Sequence, residues 1–175
     1  MEIKRLEKAF FAGKRFTVRY RTKGYYDFRI SENDFCVKYV PFELPVERSF
    51  EDKFFSDWLE APIAYGAFEG TKLIGFAEGA KETWNNRFRI SNICVFDDVE
   101  RRRGVGTDLM NAILTEAEKS GARMAVLETQ SCNENAIAFY RKKGFEIIGF
   151  DLYAYSNTDP QRHEIRIEMG KKLHR

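Results

Sequence analysis

Seven consecutive residues, Arg101-Arg102-Arg103-Gly104-Val105-Gly106-Thr107, carry the residue types needed to grip a pyrophosphate. The glycines let backbone approach an anion closely, exposed N–H groups can point at its oxygens, and the N-terminus of a following helix favours negative charge. Three arginines add charge-assisted hydrogen bonds. Two familiar phosphate motifs do not match. No lysine follows Gly106, as the P-loop requires, and Leu109 stands where the dinucleotide fingerprint needs its third glycine. Glu128 lies near the acidic position of that fingerprint, but the missing glycine leaves the match weak. Taken alone, the turn also fits a tight bend capped by solvated arginines.

The elements around this turn decide between those readings. Residues 88–95 alternate as a strand, with Phe88, Ile90, Asn92 and Cys94 on one face. Residues 108–119 place Leu109, Met110, Ile113, Leu114 and Ala117 on one helical stripe, and Gly121 suits its C-terminus. A strand, a basic turn and a helix start form a cofactor cradle. Upstream, residues 63–68 and 73–78 flank a hairpin turn, and the second strand can run on to Trp84. Downstream, a short strand at 124–127 precedes a helix at 135–143 closed by Gly144, then strands at 145–152 and 164–169 joined by a polar loop. The N-terminal part reads as a short helix or tail, strands at 15–20, 25–30 and 35–40, breaks at Pro41 and Pro45, and a helix over 48–59 ended by Pro62. The pattern predicts an α/β fold of the α+β kind: a mixed, mainly antiparallel sheet with helices on its faces.

Composition narrows the function. The chain has 175 residues, enough for one domain with a substantial core, and 16 Phe and 8 Tyr spread along it. A formal net charge of +2 argues against a general polyanion-binding surface, so nucleic acid is not the expected partner. Three scattered cysteines fit a reducing compartment, and two histidines, far from them in sequence, give no recognisable metal site. No signal-like or membrane-spanning apolar run is present. A single-domain cytoplasmic protein without metal, monomeric or homodimeric, is expected.

Three segments occur together: Ile93-Cys94-Val95 leading into Arg101-x-x-Gly104-x-Gly106; Leu127-Glu128-Thr129-Gln130; and Asn133-x-x-Ala136-x-x-Phe139-Tyr140-x-x-x-Gly144-Phe145. With these the chain resembles the GNAT superfamily of N-acetyltransferases, over roughly residues 63–169. Thr83-Trp84-Asn85, the Leu127–Gln130 segment, and Gly149-Phe150-Asp151-Leu152 followed by Tyr155 are similar to the streptothricin acetyltransferases within it. The first 60 residues diverge: many members carry two helices there, and only 48–59 reads as one.

The resemblance implies an acetyl-CoA site. Two parallel strands splay apart, with backbone at Ile93, Cys94 and Val95 pairing the pantetheine arm. The N–H groups of Arg103, Gly104, Val105, Gly106 and Thr107 would hold the pyrophosphate, with charge from Arg101 and Arg102. Asn133, with Ala136 in the same motif, would meet the arm, or would cap the following helix, or both. Tyr140 would donate a hydrogen bond or proton to the departing thiolate, whose thiol has a pKa of about 8.5 by analogy with cysteine; otherwise it is a buried helix aromatic. The acceptor ammonium, pKa about 10.4 if lysine-like, must lose a proton. Glu128, at the end of the second splayed strand, is the expected base or cation binder. Glu78, Glu82, Asp151, Trp84 and Tyr153 are further acceptor-binding candidates, each also explicable as surface or core. The expected reaction is acetyl transfer to a small cationic amine, foremost the β-lysine amine of streptothricin, giving antibiotic resistance. A protein α-amine, lysine or polyamine acceptor, and a non-catalytic acyl-CoA-binding module, are the alternatives.

Overall fold

In the computed structural model, Pro41 and Pro45 lie inside one long strand, β3 (Phe35–Lys53), which forms a two-stranded sheet with β2 (Arg15–Ile30). A two-stranded ribbon is all edge, so prolines there need not break a ladder on both sides. The breaks expected at 41 and 45 are therefore absent, and the segments expected at 15–20 and 25–30 are one strand. Gly24 permits the continuity: a Cβ there would meet Tyr39 Oη and the Val40 carbonyl oxygen at 2.5 Å.

The helix expected over 48–59 does not form. β3 runs to Lys53, and turns follow. Backbone pairing explains the difference. Phe54 N–H donates to the Lys14 carbonyl and Phe54 O accepts from Gly13 N–H, each at 3.0 Å. Phe55 then takes a φ of 55°, outside the helical region. Phe54 and Phe55 are buried, as their apolar spacing suggests, but a tight turn buries them.

The structure describes residues 1–96 and 104–173. These fall into two compact units interleaved along the chain. The first comprises Met1–Val18, Phe50–Leu127 and the residues from Lys172. It contains β1 (Glu2–Arg5), α1 (Lys8–Phe11), β4 (Ile63–Glu69), β5 (Lys72–Glu82), β6 (Arg87–Val95), α2 (Val105–Lys119) and the beginning of β7 (Met124–Gln130). Strands run in the order β1-β4-β5-β6-β7. The first three pairings are antiparallel and β6 with β7 is parallel, so the expected mixed sheet is present.

Packing of α2 follows its sequence stripe. Leu109, Met110, Ile113, Leu114 and Ala117 are all buried, and the helix lies against β4, β5 and β6. Gly75 allows this approach, because a Cβ there would meet the Cys94 carbonyl oxygen at 2.7 Å and the Leu109 side chain at 3.2 Å. A separate cluster joins Leu6, Phe16, Phe54, Phe55, Ala64, Phe76 and Cys94. Phe54 and Phe76 have ring centroids 4.2 Å apart and Phe16 meets Phe76 edge-on at 4.8 Å, geometries that add to simple area burial.

The second unit, Arg19–Ser49 with Glu128–Lys171, holds most of the β2–β3 ribbon, α3 (Glu134–Lys142), β8 (Glu146–Asp151), α4 (Asp159–Arg162) and β9 (Arg166–Lys172). β8 and β9 pair antiparallel, from Glu146 opposite Gly170 to Asp151 opposite Arg166. The short α4 occupies part of the connection expected as loop.

Candidate active site

The turn before α2 begins its described part at Gly104, which has φ 82° and is the N-cap of the helix. Such a left-handed residue favours glycine. No side chain caps this helix start among the described residues, and the first intrahelical bond runs from Asp108 N–H to the Gly104 carbonyl at 3.0 Å. Val105, Gly106 and Thr107 thus form the first turn of a fifteen-residue helix, whose opening N–H groups suit an anion. Arg101, Arg102 and Arg103 lie outside the described residues.

The strand leading to that turn changes character midway. Glu78 of β5 faces Asn92, but Gly79 faces Ile90, so Ser91 is an extra residue in β6. A bulge of this kind bends its strand and re-aims side chains. The parallel pairing with β7 covers Arg87–Ile90 against Met124–Leu127, and the bulge follows directly. Beyond it, Cys94 turns its side chain into the aromatic core, Ile93 is half-buried and Val95 is exposed.

A buried carboxylate sits at the bulge. Glu78 has 0% exposure, and its oxygens accept the Phe55 N–H at 2.6 Å and the Ser91 hydroxyl at 3.0 Å. Burial pushes its pKa up, opposed by these hydrogen bonds. Asn92 beside it donates to Asp52 Oδ2 at 3.1 Å. Glu78 is therefore placed as an internal acceptor rather than a surface one. Glu82 is paired with Arg89 and accepts from Asn85 Nδ2 at 3.0 Å. Burial alone would raise its pKa, but these hydrogen bonds outweigh it and hold the carboxyl below its usual range. Trp84 stands 85% exposed in the turn after β5.

In the second unit, Asn133 is the N-cap of α3: its Oδ1 accepts the Ala136 N–H at 3.3 Å. That is one of the two roles its sequence position suggested. Tyr140 is buried on the same helix, its ring 5.6 Å from Phe139 and 6.2 Å from Phe145. Gly144, with φ 84°, ends the helix. Glu128 and Asp151 are brought together by Arg166, whose guanidinium lies 3.7 Å from Glu128 Oε2 and 3.5 Å from Asp151 Oδ2. Tyr153 is exposed, and its N–H donates to Asp151 Oδ1 at 3.0 Å.

Sequence reasoning passed over several residues of this second unit. Arg166 is a lone strand arginine, without a motif to flag it. Tyr20 donates to Gln130 Oε1 at 2.5 Å and lies 3.3 Å from Cys132 Sγ; burial pushes both the phenol and the thiol up. Glu134, directly after the capping Asn133, joins two strands of the ribbon through its carboxylate. Its position in the first helical turn was the available signal.

The model of the acetyltransferase (GNAT) family matches residues 28–145. The chain belongs to this family. Among curated GNAT relatives, N-alpha-acetyltransferase 50 of Danio rerio is 33% identical over 64% of this chain and 68% of its own length. Streptothricin acetyltransferase A of Bacillus subtilis is 37% identical over 50% of this chain, and the match spans 49% of that protein. The crystal structure of nourseothricin acetyltransferase has the same fold, with a TM-score of 0.79 and 23% identity, covering 99% of this chain and 98% of that one. A candidate streptothricin acetyltransferase from Bacillus anthracis, solved with acetyl coenzyme A, gives a TM-score of 0.69 at 27% identity, covering 99% and 97%. This GNAT chain therefore shares its fold with those proteins along nearly its whole length, including the N-terminal ribbon that the sequence left unexplained. Among the described residues no helix is long and apolar enough to cross a membrane.

Proposed function

We propose that this GNAT acetyltransferase uses acetyl-CoA to acetylate a primary amine of a small cationic acceptor, with the β-lysine amine of streptothricin foremost. The observation that carries the reading is the bulge at Ser91 where the parallel pairing stops, on the strand that leads to the start of α2, where no described side chain bonds the helix's first N–H groups. The 37% identity with a streptothricin acetyltransferase and the 27% identity with the acetyl-CoA-bound Bacillus anthracis protein support acceptor and donor.

The donor supplies an acetyl group activated as a thioester. Gly104, Val105, Gly106 and Thr107 hold its pyrophosphate, joined by Arg101, Arg102 and Arg103. Backbone at Ile93, Cys94 and Val95 pairs its arm, and Asn133 with Ala136 orients it while capping α3. Tyr140 donates a proton toward sulfur. Glu128, held with Asp151 by Arg166, attracts the acceptor's ammonium and takes its proton directly or through water. Trp84, Tyr153, Glu78 and Glu82 shape the acceptor's surroundings. Of these, Glu78 does so from within the core. Acetylation removes a positive charge, weakening the drug's attraction to anionic RNA and giving resistance.

Thiol release from acetyl-CoA, measured with a panel of amines, tests this. Turnover with streptothricin and little with peptides is the expected result. Turnover with N-terminal peptides alone would favour protein α-amine acetylation, the reading that the 33% identity with N-alpha-acetyltransferase 50 supports. Tight CoA binding with no turnover on any amine would leave only an acyl-CoA-binding module.

A further inference from the structure

The β2–β3 ribbon is attached to α3, most closely at the helix's first turn. The Glu134 carboxylate accepts the Lys23 N–H of β2 on Oε1 at 2.7 Å and the Tyr39 hydroxyl of β3 on Oε2 at 2.5 Å. One side chain in the first turn of the helix thereby ties down both strands. Neighbouring contacts follow the same line. Asn135 Nδ2 donates to the Arg21 carbonyl at 3.0 Å, and Tyr26 N–H donates to the Ser131 carbonyl at 3.0 Å. Arg141, two turns further, donates to Tyr26 Oη at 3.1 Å and stacks over the Tyr26 ring. The ribbon itself is held tightly at this point, because Gly24 brings β2 against Tyr39 and Val40.

We propose that Glu134 is a positioning residue for the donor site, fixing Asn133 by anchoring the start of α3 to the ribbon. The proposal rests on the assignment of Asn133 to the donor's arm. Asn133 and Glu134 are consecutive, so the amide that caps Ala136 N–H and the carboxylate that holds the ribbon belong to the same turn of backbone. A side chain held at two points, one on each oxygen, resists rotation of that turn better than one held at a single point. The Tyr39 hydroxyl stays a donor throughout the physiological range: its hydrogen bond to Glu134 pushes its pKa up to about 12. The ribbon thus has a function that the family motifs do not contain. It holds from outside a helix start that those motifs only read from inside.

The test uses the full chain and coenzyme A alone as probe, followed by calorimetric titration, so its outcome does not depend on the acceptor. Glu134→Ala should weaken CoA binding about ten-fold at a temperature well below its own melting point. Glu134→Gln can still accept from Lys23 N–H and turn its amide toward Tyr39 Oη, and should stay within about two-fold of the unaltered chain. Tyr39→Phe, which removes one of the two anchors, should fall between them. If the effect runs through Asn133, Glu134→Ala should add little to Asn133→Ser in the double variant. A lowered melting point with unchanged CoA affinity in Glu134→Ala would overturn the proposal, as would fully additive losses. Failure of the amine panel with these CoA results intact would instead count against the proposed reaction alone.

Discussion

Phe55, at a φ of 55°, donates its backbone N–H to the buried carboxylate of Glu78 at 2.6 Å. A bulky residue in that region of backbone space is costly, so the bond helps to hold a strained turn. It also gives a pH signature. Because burial raises the folded-state pKa of Glu78, the folded chain holds this proton more tightly than the unfolded one. The stabilisation is fully present below the ordinary carboxylate range of about 4.3 and is lost as pH rises through the raised folded value. Melting curves of the unaltered chain and of Glu78→Gln, taken from pH 4 upward, should therefore diverge through that window, the unaltered chain losing ground. Parallel curves would contradict the assignment.

Gly104 separates backbone conformation from steric fit. A Cβ at that position would have nothing within 4 Å among the described residues, yet φ is 82°. Gly104→Ala should thus cost about 1 kcal/mol through the left-handed backbone alone. Since the residue opens the proposed pyrophosphate grip, CoA titration should show a loss of affinity alongside the lower melting point.

The two roles of Asn133 can be pulled apart by choice of substitute. Asn133→Ala removes the cap on Ala136 and should destabilise the chain by about 1 kcal/mol. Asn133→Ser keeps a capping oxygen and should melt near the unaltered chain, while its KM for acetyl-CoA rises. Equal KM values in the two chains would leave the cap as its whole role.

Tyr140→Phe keeps the buried ring and deletes the hydroxyl. A drop in kcat of about ten-fold or more is expected, on the scale of lost general acid catalysis, with the KM for acetyl-CoA little changed. An unchanged kcat, with chemistry shown to limit the rate, would remove the tyrosine from the mechanism.

The Arg166 pairs with Glu128 and Asp151 are partly exposed, so Glu128→Gln should shift stability by less than about 1 kcal/mol. The acceptor should respond more. KM for a cationic acceptor should rise in the variant, and its dependence on ionic strength should flatten as one screened attraction is lost. A KM indifferent to salt in the unaltered chain would argue against this carboxylate as the cation binder.

The helical stripe of α2 and the alternation in the first half of β6 were legible because each buries one face, and periodicity records that. Asn133 and Gly144 were legible because capping is local chemistry. The stretch from Pro41 to Leu59 was not. Its prolines signal breaks only in a strand with partners on both sides, and its phenylalanines mimic a helical stripe while being buried by a turn that pairs with Lys14 and Gly13. Arg166 and Glu134 were hidden for another reason: their partners are distant in sequence, and a single charged residue has no period. The bulge at Ser91 belongs to the same class, since a two-against-one register exists only once β5 and β6 are paired.

The anchoring of α3 by the ribbon has a practical corollary for anyone trimming this protein. The family-matching region opens at residue 28, inside β2. A fragment cut to those borders would discard Tyr20 and Lys23, the partners of Gln130 and Glu134, while keeping the downstream motif from Ile93 to Phe145. Such a fragment would keep that motif whole and yet lack the β2 contacts made by Lys23 and Arg21 to the start of α3. The stretch that matches the family and the stretch that holds the start of α3 in place have different borders.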